Sequence, residues 1–139
     1  MVIIPREDSD YQRYVYWKDG KGPYLDMEFL RNEPLTLTYP SMRSRMICDQ
    51  IFQKAGITPT VKLTTKRLNV LDTMAQVGFT STIMPYKQLS AELKNHRRYY
   101  IDPKYSVPYS FVAAVRKNAY IPRVVQRLIE ELHLKEYTF

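Results

Sequence analysis

Two short stretches carry most of the residues able to hold a small polar molecule. The first is "YPSMRSR" at 39–45, where Pro40, Ser41, Met42, Arg43 and Ser44 follow the apolar run "LTLT". The second is "LTTKRL" at 63–68, with Thr64, Thr65, Lys66 and Arg67. Hydroxyls beside cations, set where a strand gives way to a helix, are suited to a carboxylate or phosphate. The helix start adds unpaired amides and the positive end of its dipole. Taken alone, "YPSMRSR" admits three readings: a solvated helix start, a grip for an anion, or part of a basic surface for nucleic acid.

Other chemistry finds little support. No glycine-rich phosphate loop, G-x-S-x-G, H-E-x-x-H or pair of carboxylates in an apolar setting occurs, so no catalytic residue and no enzyme activity is expected. Cys48 is the one cysteine, and with His96 and His133 it forms no metal-ligand spacing; neither a metal nor a cofactor is expected. Cys48 reads as a small buried apolar residue on a helix, and both histidines read as surface residues.

Charge is unevenly placed. The net charge is +7, yet residues 1–33 hold five Lys or Arg against seven Asp or Glu, so the positive field belongs to the later part. Residues 43–67 alone contain six Lys or Arg and one Asp. A basic balance fits nucleic acid, anionic small molecules or plain solubility. "HRRYY" at 96–100 interleaves cations and aromatics, as single-strand binders do, but tyrosine is also favoured in strands.

The elements that position these residues follow from periodicity. At 139 residues the chain is one domain by length, and it has no run near the ~18 apolar residues of a membrane span. No secretory signal opens it, which makes the cytoplasm the expected location. "MVII" reads as a buried strand, and a domain opening on a core strand suggests a fragment. Residues 7–26 read as loop, short strand and turn, and "DMEFLRN" as a helical turn or two. "LTLTY" at 35–39 is a strand. The helix from about 43 carries Ile47, Ile51 and Ala55 and stops at Gly56; Ser41 or Ser44 is expected to cap it. "TVKLTT" is the next strand. "RLNVLDTMAQV" is a helix capped by Thr64 or Thr65 and ended at Gly78, and "FTSTIM" is a strand stopped by Pro85. "YKQLSAELK" predicts a short helix, "RRYYI" a short strand and "PYSFVAAVRK" a longer one. The last helix takes Pro122 as its first residue and carries Val125, Leu128, Ile129 and Leu132 as a stripe. Alternating strands and helices predict an α/β fold with a mixed sheet, helices on both faces and a parallel core over 35–84.

The ordered features resemble the effector-binding domain of LysR-type transcriptional regulators over roughly residues 28–134. The matching features are Glu33 with Pro34, the loop Ser41 to Arg45, Ala55 with Gly56, Pro59, Gly78, Pro85, and Arg116 with Lys117. Where such families often carry Gly-Leu-Gly, Gly78 is followed by Phe79 and Thr80.

That resemblance implies one lobe of a fold similar to type 2 periplasmic binding proteins. Residues 1–120 would be the second, effector-binding lobe, with crossing strands at 1–5 and 110–117. Residues 121–139 would be a helix and tail returning to a missing first lobe. It further implies a small, anionic effector in the interlobe cleft and a homo-oligomer. DNA would be reached only through a helix-turn-helix domain absent from this chain, and no membrane is involved. Ser41, Ser44 and Thr65 would donate hydrogen bonds, Arg43 would supply charge, and Pro40 and Met42 would form an apolar wall; Thr64, Lys66 and Arg67 complete the second corner. Two other readings are a standalone lobe of a transport-type solute-binding protein and a basic nucleic-acid-binding module.

Overall fold

The computed structural model describes residues 1–85, 97–108, 116 and 120–131. They fall into two compact units, Met1–Tyr109 and Ser110–Phe139. In the first unit the order is β1 (Val2–Ile4), β2 (Val15–Lys18), β3 (Lys21–Leu25), β4 (Pro34–Thr38), α1 (Arg43–Ala55), β5 (Thr60–Thr65), α2 (Leu68–Gln76), β6 (Ser81–Met84) and β7 (Tyr99–Tyr100). Among the described residues seven strands form one mixed sheet in the order β2-β3-β7-β1-β6-β4-β5. β4 runs parallel to both β5 and β6, while β1 is antiparallel to β6 and β7.

Strand alternation sorts the core between two faces. Ile3, Leu35, Leu37 and Ile83 turn to one side, where α1 covers them with Ile47, Cys48, Ile51 and Phe52. Val2, Ile4 and Met84 turn to the other side, where Leu71 and Ala75 of α2 cover them. Helices therefore lie on both faces, as the sequence pattern predicts. Each helix stops for a local reason. Gly56 takes a left-handed conformation, its N–H donates to the Gln53 carbonyl, and the Ile57 N–H reaches back to Phe52. Gly78 does the same after α2, with its own N–H on Ala75 and that of Phe79 on Met74. Both are the double-bonded glycine ending common to helices. The second turn is thus made with Gly78 alone, without the further glycine often seen in the resembling family.

Within the segment read as loop, short strand and turn, β2 and β3 form a hairpin that follows a 3-10 turn at Gln12–Tyr14. Asp19 and Gly20 both have positive φ, the requirement of a two-residue turn matched to strand twist. "DMEFLRN" forms a 3-10 turn over Met27–Arg31 whose Glu28 amide donates to the Asp26 carboxylate at 2.9 Å. The predicted helix at 86–94, the His96 and His133 side chains, and the longer strand at 108–117, save for its first residue and exposed Arg116, lie outside the described residues. In the second unit α3 spans Arg123–Glu131, and Val125 and Gln126 donate to the Pro122 carbonyl. Pro122 therefore precedes the first helical position instead of occupying it.

Asp102 ties the hairpin to the strand beside it. Its carboxylate accepts from the Lys104 amide at 2.9 Å and the Tyr16 hydroxyl at 2.9 Å, with the Lys18 ammonium 3.7 Å away. The Lys104 amide, then the Tyr16 hydroxyl and nearby lysines, hold its pKa below the ordinary carboxylate value. A lowered folded-state pKa stabilises the fold above the ordinary Asp range, and that contribution disappears as pH falls through the folded pKa. Asp102→Asn is expected to lose less stability than the parent between pH 6 and pH 3. Urea unfolding at the two pH values measures the difference; equal losses would contradict the link.

Candidate functional site

Parallel pairing decides where the two polar stretches meet. β4 and β5 are in register at Thr38 and Thr65, and the Tyr39 N–H donates to the Thr65 carbonyl at 3.1 Å. Both strands end at the same edge of the sheet, and each leads directly into a helix start. Residues 39–43 and 65–68 are therefore neighbouring corners at the carboxyl ends of parallel strands, where open α/β sheets offer a crevice.

The helix starts differ from the expectation of hydroxyl caps. The residue preceding α1 is Met42 and the one preceding α2 is Arg67; neither helix has a side-chain cap. Ser44 lies inside the first turn of α1, buried, with its hydroxyl 2.9 Å from that of Thr38. Ser41 is exposed and does not reach the helix amides. Thr65 accepts from the Arg67 amide at 3.1 Å and so shapes the turn ahead of α2 without capping it. Thr64 is half-buried on β5. A side chain has to sit at the residue preceding the helix to cap it, and here each chain bend falls one or more residues away from the serines and threonines.

What the corners present is a pair of uncapped helix starts and a group of cations. An α-helix leaves its first amides without intrahelical partners, so these corners offer donors toward solvent. Pro40, Ser41, Arg43, Lys66 and Arg67 are exposed, and Met42 is half-buried. Arg45 is spoken for: its guanidinium bonds Asp49 at 2.8 Å and the Thr38 carbonyl at 3.3 Å. Tyr39 belongs to this group as well, with the Lys66 ammonium 5.4 Å from its ring centre. The list of candidate residues drawn from the sequence leaves out Tyr39 and Thr38. Thr38 ends the strand on the face opposite Leu37, a signal contained in the alternation of "LTLT".

Elsewhere the chemistry is quiet. Burial raises the Cys48 thiol to about 12, so it stays protonated and inert near neutral pH. A depression of about 230 Å³ beside Arg6 and Glu33 has its charge matched internally, the two groups meeting at 2.7 Å. A smaller one of about 90 Å³ lies by Glu7 and Arg97, which pair at 3.1 Å. Among the described residues no group of three or more His, Cys, Asp or Glu side chains could hold a metal, and no helix is long and apolar enough to cross a membrane.

Comparison with known proteins gives a consistent picture. The family described as LysR substrate binding domain matches residues 16–135. The effector-binding domain of QuiR in complex with shikimate superposes with a TM-score of 0.63 at 14% identity, over 93% of this chain and 56% of that one. HinK, a LysR family transcriptional regulator from Pseudomonas aeruginosa, does so with a TM-score of 0.55 at 12% identity, over 93% of this chain and 42% of its own. The chain thus spans about half the length of these structures. No curated protein matches.

The two serines are expected to respond differently to truncation. Ser44→Ala strands the buried Thr38 hydroxyl and should cost about 1–2 kcal/mol, whereas exposed Ser41→Ala should leave stability unchanged. Urea midpoints compare them; equal effects would contradict the inward role of Ser44.

Proposed function

Because the chain belongs to the family of LysR substrate binding domains, we propose that it is the ligand-sensing lobe of a LysR-type transcriptional regulator, binding a small anionic effector without transforming it. The observation that carries this reading is the side-by-side placement of two uncapped, cation-rich helix starts at Thr38 and Thr65. Donors fixed to a rigid sheet edge need no rearrangement to meet a carboxylate, and the local charge favours its approach. In this reading Arg43 supplies the charge, Ser41 and Thr65 donate hydrogen bonds, and Pro40 and Met42 form an apolar wall. Ser44 acts through Thr38, holding the loop in place. Thr64, Lys66 and Arg67 shape the second corner. A carboxylate such as the shikimate held by the QuiR domain suits these donors.

The rest of the regulator follows as part of the same proposal. In this reading residues 1–120 serve as the effector-binding lobe, and residues 121–139 belong with a facing lobe. Effector bound between the lobes shifts a homo-oligomer between states. It does so only to the extent that it binds one state more tightly than the other. DNA is reached through a separate helix-turn-helix domain, which places the protein in the cytoplasm.

Titration of the regulator with an array of small carboxylates, followed by calorimetry, identifies the effector. Arg43→Ala and Thr65→Ala are then each expected to weaken it by about tenfold or more, the worth of a hydrogen bond to a charged group. Unchanged affinity in both would remove the site assignment.

A further inference from the structure

Tyr39 is held more firmly than an exposed loop residue needs to be. Its N–H is bound by the Thr65 carbonyl at 3.1 Å, and its own carbonyl accepts from the Met42 N–H at 2.9 Å. The backbone that carries the ring is thereby fixed to both corners at once. The residue nonetheless remains 43% exposed. The Lys66 ammonium stands 5.4 Å from its centre, within the range of a cation–π contact.

Two of the other cation–aromatic pairs in the same unit are neutralised, Arg13 beside Tyr14 by Asp10 and Arg97 beside Tyr11 by Glu7, whereas Lys104, 4.7 Å from the Tyr105 ring centre, resembles Lys66 in having no carboxylate at ion-pair distance among the described residues. Among the described residues no carboxylate pairs with Lys66. A cation–π contact at an exposed site is too weak to be what the fold requires of either residue. What the pair offers instead is a fixed aromatic surface with an unneutralised positive charge at its side.

Resting on the reading of the corners as an effector site, we propose that Tyr39 and Lys66 set its specificity, selecting a carboxylate attached to a flat ring. The ring of the ligand stacks on Tyr39 while its carboxylate lies near the Lys66 ammonium and the uncapped amides of α1. An open-chain carboxylate satisfies the same charge and donors but gains little from Tyr39, whose planar face rewards offset stacking. Tyr39 is thus a selecting residue, and Lys66 serves both ligand types.

Amide NMR of the 139-residue chain tests this with two probes of equal charge, benzoate and hexanoate, observed at residues 41–44 and 65–67. Benzoate is expected to bind about tenfold more tightly, the worth of a good aromatic pair. Tyr39→Leu should abolish that preference and Tyr39→Phe should keep it, while Lys66→Met weakens both probes. Spectra of the unliganded variants report whether they fold, and Tyr39→Phe carries the test if Tyr39→Leu does not. Equal binding of both probes, indifferent to Tyr39→Leu, or loss of the benzoate preference in folded Tyr39→Phe, would overturn the specificity proposal and leave the effector site standing. No response of these amides to either probe would overturn both together.

Discussion

β4 is the strand on which everything else depends. It is hydrogen-bonded on both sides to strands running in its own direction, and Leu35, Thr36 and Leu37 are fully buried. Parallel neighbours necessarily end at the same edge. The bend after Thr38 and the bend after Thr65 therefore arrive together, and the helices that follow start side by side. Sliding β5 by one residue would separate them and also turn its side chains to the opposite face.

The threonines of β4 hold this arrangement without giving up polarity. Thr36 pairs with Thr80 at 2.6 Å, and its carbonyl accepts from the Thr82 hydroxyl at 2.8 Å. At the amino end of the strand, Glu33 accepts from Arg6 at 2.7 Å and Ser81 at 2.8 Å. Buried polar groups that are fully bonded make a sheet rigid and specify its register. The far end is left different: hydroxyl pairing stops at Thr38 and Ser44, and beyond them the helix starts are open. A rigid platform ending in uncapped helix starts is a sound base for recognition, because little ordering cost remains when a ligand arrives.

Much of the platform was legible in the sequence. Period-two and helical spacing placed the three parallel strands and two covering helices, Gly56 and Gly78 marked their ends, and the family resemblance agreed with the later match. Asp19-Gly20 marked the turn that joins β2 to β3. Sheet order was not legible, since nothing local places β1 between β6 and β7; that pairing is set by which face each strand buries. The caps misled for a related reason: any hydroxyl near a helix start is a candidate, and only the backbone decides which residue sits at the boundary. Ser44 turned inward because Thr38 offered a buried partner, and Tyr39 gained its place from a hydrogen bond across strands.

Effector recognition at this sheet edge requires the two corners to act as one site. The most direct measurement is a crystal structure of the regulator containing this chain, grown with the effector that titration identifies. Ligand density is predicted against residues 39–43 and 65–67, with an acidic group facing the amides of α1. Density confined to the depression beside Arg6 and Glu33, or against the β2–β3 hairpin, would contradict it.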